Sequence, residues 1–261
     1  MTLPLPNPAL RASVVVPARD EEDLIGSCLE ALATQTGVTP HEYEVLLVLD
    51  RCTDETEERA RKIGALHPSL RLHFLDGPGK GSGPARQVGM DAACVRLLQV
   101  DSPEGLIACT DADTVVAPDW LVAQLRAVSE GARAIGGRIE LAHDGSLPES
   151  VGRRHAEEGR LRHERLLSDP NPTGETQHWQ FSGASMTLTA AVYTQVGGLE
   201  PLTFLEDEHL ESALRHHDVP IDRLLSVRVT TSPRLEGRAT RGLSHDLARI
   251  ALSLHEERAD G

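Results

Sequence analysis

Residues 106–121 read LIACTDADTVVAPDWL, and this stretch decides the fold. Leu106 to Cys109 run without a polar residue, as in a strand covered on both faces. The run ends at two carboxylates, Asp111 and Asp113, with one alanine between them. Pro118 then suits the first turn of a helix whose apolar face begins at Trp120 and Leu121. A buried strand, an acidic strand end and a helix form the repeating unit of a parallel α/β sheet, in which ligands collect beyond the carboxyl ends of the strands.

Upstream, the same unit recurs. Ser13–Val16 is a β-branched strand stopped by Pro17, and Leu24, Ile25, Cys28, Leu29 and Leu32 follow at helical spacing. A second strand, 45–49, ends at Asp50; Asp54 and Glu57 start the next helix. A third, 70–75, leads into the Gly/Pro-rich loop 77–84 and a helix from Ala85 to about Leu98. Downstream, 134–141 reads as a strand and 150–167 as a charged helix. Asp169–Gly174 (DPNPTG) is a turn-rich loop, 181–189 is mixed, and 206–216 is helical. A short strand at 227–231 and an amphipathic helix at 243–258 complete the pattern. The expectation is one domain over 1–261, with a nucleotide-binding half at about 12–130 and an acceptor-facing half at about 131–261.

A net charge of −14 with no Lys/Arg cluster excludes a nucleic-acid partner. Cys28, Cys52, Cys94 and Cys109 form no CxxC pair, which points to reduced thiols and a cytoplasmic setting. No apolar run approaches the length of a transmembrane segment, and the Pro-rich start lacks a signal-peptide pattern.

The strand ends bring Arg19 and Glu21, Asp50, Lys80 and Arg86, and Asp111 and Asp113 to one sheet edge. Carboxylates at i and i+2 in an extended loop can share a hard divalent cation and a ribose hydroxyl, leaving diphosphate oxygens to complete the shell. A solvated loop is the competing reading. Asp50 serves as nucleobase ligand or turn cap, and Glu206-Asp207-Glu208 as a base or only as charge at a helix start. Arg234, Arg238 and Arg241, in SPRLEGRATRG, close over a diphosphate or form a solvated basic loop. His245 is a further candidate for a metal or phosphate. Trp179 stacks on a sugar face or packs in the core.

Read together, these stretches resemble family 2 glycosyltransferases. VVVPARDEEDLIGSCLEAL (14–32) is similar to the family's opening strand and acidic turn, LVLDRCTDET (47–56) to its second strand, and GKGSGPARQVGMDAA (79–93) to its Gly/Lys loop and Ala-Arg helix. ACTDADTVVAPDWL (108–121) resembles its DxD segment, and FSGASMTLTAAVYTQVGGLEP (181–201) with LEDEHLESALR (205–215) its acceptor segment and Glu-Asp helix.

The resemblance implies a GT-A nucleotide-diphospho-sugar transferase fold, α/β with a mostly parallel central sheet flanked by helices. It implies transfer from a nucleotide-sugar, a UDP-sugar first, to a small or soluble hydroxyl acceptor with inversion, using Mn²⁺ or Mg²⁺. Pro17, Arg19, Glu21 and Asp50 would border the base, Lys80 and Arg86 the base or diphosphate, Asp111 the ribose and Asp113 the metal. Arg238 would reach the donor, Asp207 would be the general base, and Trp179, Gly183 and Glu206 would face the acceptor. Three departures stand out. Leu49-Asp50 replaces a paired Asp-Asp, His209 stands where a second helix acid is usual, and the Gln-x-x-Arg-Trp motif of processive synthases is absent. A sugar-nucleotidyltransferase and a non-catalytic binding module are the rival classes. Pro17-Ala18-Arg19 in place of a Gly-rich first turn counts against the former, and joint retention of Asp111, Asp113 and Asp207 against the latter.

Overall fold

A computed structural model of the chain describes residues 3–169, 174–237 and 241–259, with side chains as far as residue 257. The first half alternates β1 (Ala12–Ala18), α1 (Ile25–Ala33), β2 (Tyr43–Leu49), α2 (Thr56–Leu66), β3 (Leu72–Asp76), α3 (Ser82–Gln99) and β4 (Leu106–Cys109). There follow β5 (Thr114–Val116), α4 (Trp120–Ser129), β6 (Ala134–Leu141), α5 (Glu149–Leu167), β7 (Met186–Thr189), α6 (Ala190–Gln195), α7 (Glu206–His216), β8 (Ile221–Thr231) and α8 (Leu243–Ala259). The eight strands form one sheet in the order β3-β2-β1-β4-β7-β6-β8-β5. The β3-β2-β1-β4 block is parallel, whereas β7 pairs antiparallel with both β4 and β6.

Alternation along β1 and β2 divides the core. Val14 and Val16 with Val45 and Leu47 bury against α1, while Val15 with Leu46 and Val48 buries against α3. Helix α3 sits so close that a Cβ on Gly89 would collide with the Val15 side chain.

Order around β1 opens a gap. Strands β2 and β4 leave it on opposite sides, so the sheet has its switch point between β1 and β4, where a crevice is expected. The β1–β4 ladder ends at Val15–Cys109, and Thr110 donates its N–H to the Val15 carbonyl. Two residues on, Pro17 faces the same side, beyond the last ladder partner. Its missing N–H therefore breaks no bond, and the strands part there.

At the opposite end of these strands lies a buried ion cluster. The Glu44 carboxylate of β2 accepts from Arg96 through Nε and a terminal nitrogen, each at 2.7 Å, and from the Ser13 hydroxyl at 2.9 Å. Arg96 also donates to the Pro4 carbonyl at 2.7 Å, pinning the N-terminal segment. Burial alone would raise the Glu44 pKa, but Arg96, then His73 and Ser13, outweigh it and hold it at about 2. The stability this ionised pair contributes is present above about pH 4.5 and is lost as pH falls toward 2. Arg96→Met leaves a buried carboxylate unpaired and should cost about 3–5 kcal/mol in urea unfolding at neutral pH.

Candidate active site

A cleft of about 1380 Å³ opens over the β1–β4 gap, with the carboxyl ends of the parallel strands as its floor. Pro17, Arg19, Glu21, Asp50, Lys80, Arg86, Asp111 and Asp113 all line it, and so do Trp179, Gly183, Glu206 and Asp207 from the second half. Of the residues singled out in the sequence, Arg238 alone lies outside the described residues.

The wall built by the strand ends is dense with ion pairs. Asp50, 1% exposed, accepts from the backbone N–H of Gly79 and of Gly81, so its carboxylate also shapes the glycine loop. Arg19 and Lys80 are exposed cations on either side of it. Glu21 takes both terminal nitrogens of Arg234, at 2.7 and 3.0 Å, and the same guanidinium lies 2.8 Å from Asp113. Burial and then the charge of Asp111 push the Asp113 pKa up to about 6; Arg234 opposes them and Glu21 adds to them.

Asp111 and Asp113 are not equivalent. Asp111 keeps 35% of its side chain exposed and engages one oxygen with Arg86 at 2.9 Å. Asp113 is the more buried, at 13%, and touches Thr114 and Thr231. Two carboxylates crowded with Glu21 carry more negative charge than Arg234 neutralises. A hard divalent cation fits this donor set, with Arg234 in the role of internal counter-ion. A second acidic group is Asp20, Cys52 and Asp54, whose ligand atoms lie within 4.8 Å of one another. Asp20 and Asp54 already accept from the N–H groups of Thr53, and of Thr56 and Glu22.

From the second half of the chain, α7 is entered through Leu205, whose φ of 60° is left-handed and strained for a leucine. That turn delivers Glu206 and Asp207 to the cleft wall. Burial, then the neighbouring Glu206 charge, raise the Asp207 pKa to about 6, while Arg86 and the N–H groups of Glu208 and Gly183 pull it back. Trp179 carries the Arg162 guanidinium 4.7 Å above its ring, so one ring face is already covered. Arg241 lies 5.7 Å from the Phe204 ring, and His245 is an exposed residue of the cleft wall.

Arg86, expected near the base or diphosphate, lies buried in the lining of the cleft. It is 3% exposed and reaches Glu206 at 3.2 Å, the Gly183 carbonyl at 3.1 Å and Asp111 at 2.9 Å. Burial alone would lower its pKa, but the charges of Asp111 and Glu206 drive it well above the usual value. Sequence reasoning also passed over Arg162, whose signal was only one charge in a charged helix.

Strand order, a split between β1 and β4 and acidic groups at the strand ends are the features of a nucleotide-sugar transferase fold. The S. aureus TarS fragment 1–349, whose structure is with UDP-GlcNAc, superposes with a TM-score of 0.65 at 18% identity over 93% of this chain and 66% of that one. The mannosyltransferase PcManGT from Pyrobaculum calidifontis, in complex with GDP-Man and Mn²⁺, gives 0.63 at 17% over 98% and 78%. Residues 8–241 match the family described as glycosyltransferase like family 2, and the chain belongs to that family. Among curated relatives, glycosyltransferase AglE of Haloferax volcanii is 28% identical over 50% of this chain and 40% of its own length. The dolichyl-phosphate beta-glucosyltransferase of Drosophila melanogaster is 29% identical over 53% and 44%. The chain thus spans less than half the length of these two relatives. No described helix is long and apolar enough to cross a membrane.

The raised Asp207 pKa has a thermodynamic consequence. Its folded value, about 6, exceeds the ordinary 3.8, so the ionised carboxylate opposes folding above pH 6 and the penalty fades as pH falls toward 4. Asp207→Asn should raise the melting temperature by a few degrees at about pH 7.5 and by almost nothing at about pH 4, read by differential scanning calorimetry.

Proposed function

We propose that the protein is a glycosyltransferase that moves a sugar from a nucleoside-diphospho-sugar, a UDP-sugar first, to a hydroxyl of a small or soluble acceptor with inversion. The first half would hold the donor and the second half the acceptor, within one domain. The observation that carries this reading is that Asp111 and Asp113, beyond the end of β4, and Asp207, at the start of α7, line one cleft.

The donor carries several negative charges into a protein of net charge −14, so its site needs local cations. Arg19 and Lys80, in the cleft lining, would stand at the nucleoside end, and Arg234 borders the Asp113 carboxylate. Asp111 and Asp113 would hold Mn²⁺ or Mg²⁺, which when bound supplies Lewis-acid neutralisation of the leaving diphosphate. Asp207 would accept the acceptor hydroxyl's proton as that oxygen bonds to the anomeric carbon. The bond from that carbon to the diphosphate breaks with its electron pair on the leaving oxygen. A carboxyl with a pKa of about 6 suits the task, being ionised at neutral pH yet more basic than an ordinary aspartate.

A second reading comes from relatives. One is the dolichyl-phosphate enzyme, and another is a dodecaprenyl-phosphate galacturonate synthase of Rhizobium johnstonii, 37% identical over 36% of this chain and 28% of its own length. A phosphate acceptor is already anionic and needs no base, and Glu206, Asp207 and Glu208 would repel it. The hydroxyl reading accounts for these acids and is preferred. Pyrophosphate formed from UTP and a sugar phosphate would favour a nucleotidyltransferase instead. The four cysteines are free thiols, which supports a reducing, cytoplasmic setting.

Two outcomes test the proposal. UDP should raise the melting temperature in the presence of Mn²⁺ far more than in its absence, and Asp113→Ala should abolish the difference. With a competent donor and acceptor, kcat should fall about tenfold per pH unit below roughly pH 6, and Asp207→Asn should slow transfer by about 10²-fold or more with donor binding nearly intact. Equal loss of UDP binding in Asp207→Asn would make Asp207 a structural residue.

A further inference from the structure

The Arg86 guanidinium joins elements that are distant in sequence. It rises from α3 and spends Nε on Glu206 of α7, one terminal nitrogen on the Gly183 carbonyl and the other on Asp111 beyond β4. All three of its nitrogens are therefore engaged inside the protein, and only 3% of the residue is exposed. A planar fork of donors fixes the angles between its partners, which a lysine ammonium would not. Gly183 is part of the fitting, since a Cβ there would run into the guanidinium. The strained turn at Leu205 immediately precedes the anchored Glu206, so the start of α7 is held at its first residue.

We propose that Arg86 is a positioning residue: it ties the donor carboxylate Asp111 to the first residue of α7 and so fixes where the Asp207 carboxyl stands relative to the donor sugar. This rests on the reading of Asp207 as the base. With its nitrogens spent on Glu206, the Gly183 carbonyl and Asp111, Arg86 acts in this proposal through those partners rather than on donor or acceptor. The groups acting on the Asp207 carboxyl are Glu206 of its own helix, Arg86 from α3, and the backbone N–H groups of Glu208 and Gly183.

Two variants test the tie in opposite senses. Glu206→Gln keeps the Arg86–Asp111 bond and removes a negative charge beside Asp207, and Arg86→Met removes the positive one. The Asp207 titration, followed by carboxyl ¹³C NMR and assigned by its loss in Asp207→Asn, should move to lower pH in Glu206→Gln and to higher pH in Arg86→Met. With UDP-glucose and Mn²⁺ as the probe, UDP release by Glu206→Gln should slow at least about tenfold while the donor KM stays within about threefold. If Arg86→Met does not fold, Glu206→Gln decides the matter alone. A folded Glu206→Gln with unchanged turnover and unchanged titration overturns the positioning role. So does a slowed Glu206→Gln whose only other change is a lower melting temperature and a higher KM. A wild-type rate indifferent to Asp207→Asn overturns the base reading, and the positioning role with it. A slow Asp207→Asn beside a fast Glu206→Gln overturns the positioning role alone.

Discussion

A guanidinium can be buried as deeply as that of Arg86 only when carboxylates and a carbonyl take the place of water around it. Asp111, Glu206 and Gly183 supply that replacement, and each belongs to a different part of the chain. The parallel block carries Asp111, the antiparallel extension through β7 carries Gly183, and α7 carries Glu206. One cation thus joins the first half of the chain to the second. Removing it would leave the buried Glu206 carboxylate and the part-exposed Asp111 carboxylate without the cation they share, so the spacing of these elements depends on its presence.

The same logic of paired charge runs along the whole cleft. Arg234 stands between Glu21 and Asp113, and Arg86 stands between Asp111 and Glu206. Acidic groups outnumber these cations, and burial raises the proton affinity of two of them, Asp113 and Asp207, to about 6. Excess negative charge in a low-dielectric cleft invites a metal ion on the donor side and a proton on the other. The far end of the sheet is built differently. There Glu44 accepts from Arg96 and Ser13, Arg96 also donates to the Pro4 carbonyl, and the cluster serves stability rather than chemistry.

Much of the framework was legible in the residues. The strand 134–141 and the helix 206–216 have the bounds that their periodicity predicts, and the alternating first half follows from strands without polar interruption. The three-residue strand β5, directly after the DxD pair, was missed because Thr114–Val116 carries no turn signal that separates it from the loop around it. Its existence depends on β8, which pairs with it from 117 residues away at Thr114–Thr231. Strand β8 itself begins at Ile221 rather than at 227, since a bulge against Gly137 and Arg138 breaks its period. Asp111, Asp113 and Asp207 were legible as strand-end and helix-start acids. The role of Arg86 was not, because its partner Glu206 lies 120 residues away and no local pattern links them. Arg238 and part of the loop 169–174 lie outside the described residues.

The central claim is that carboxylates from the end of β4 and from the start of α7 share one cation- and nucleotide-holding cleft. Paramagnetic broadening by Mn²⁺ in the presence of UDP, mapped on backbone amides, tests it directly. Broadening should be centred on Asp111 and Asp113, extend to Glu21, Gly183 and Asp207, and leave Glu44 and Arg96 sharp. Broadening centred on Asp20, Cys52 and Asp54 that leaves Asp207 sharp would contradict the account.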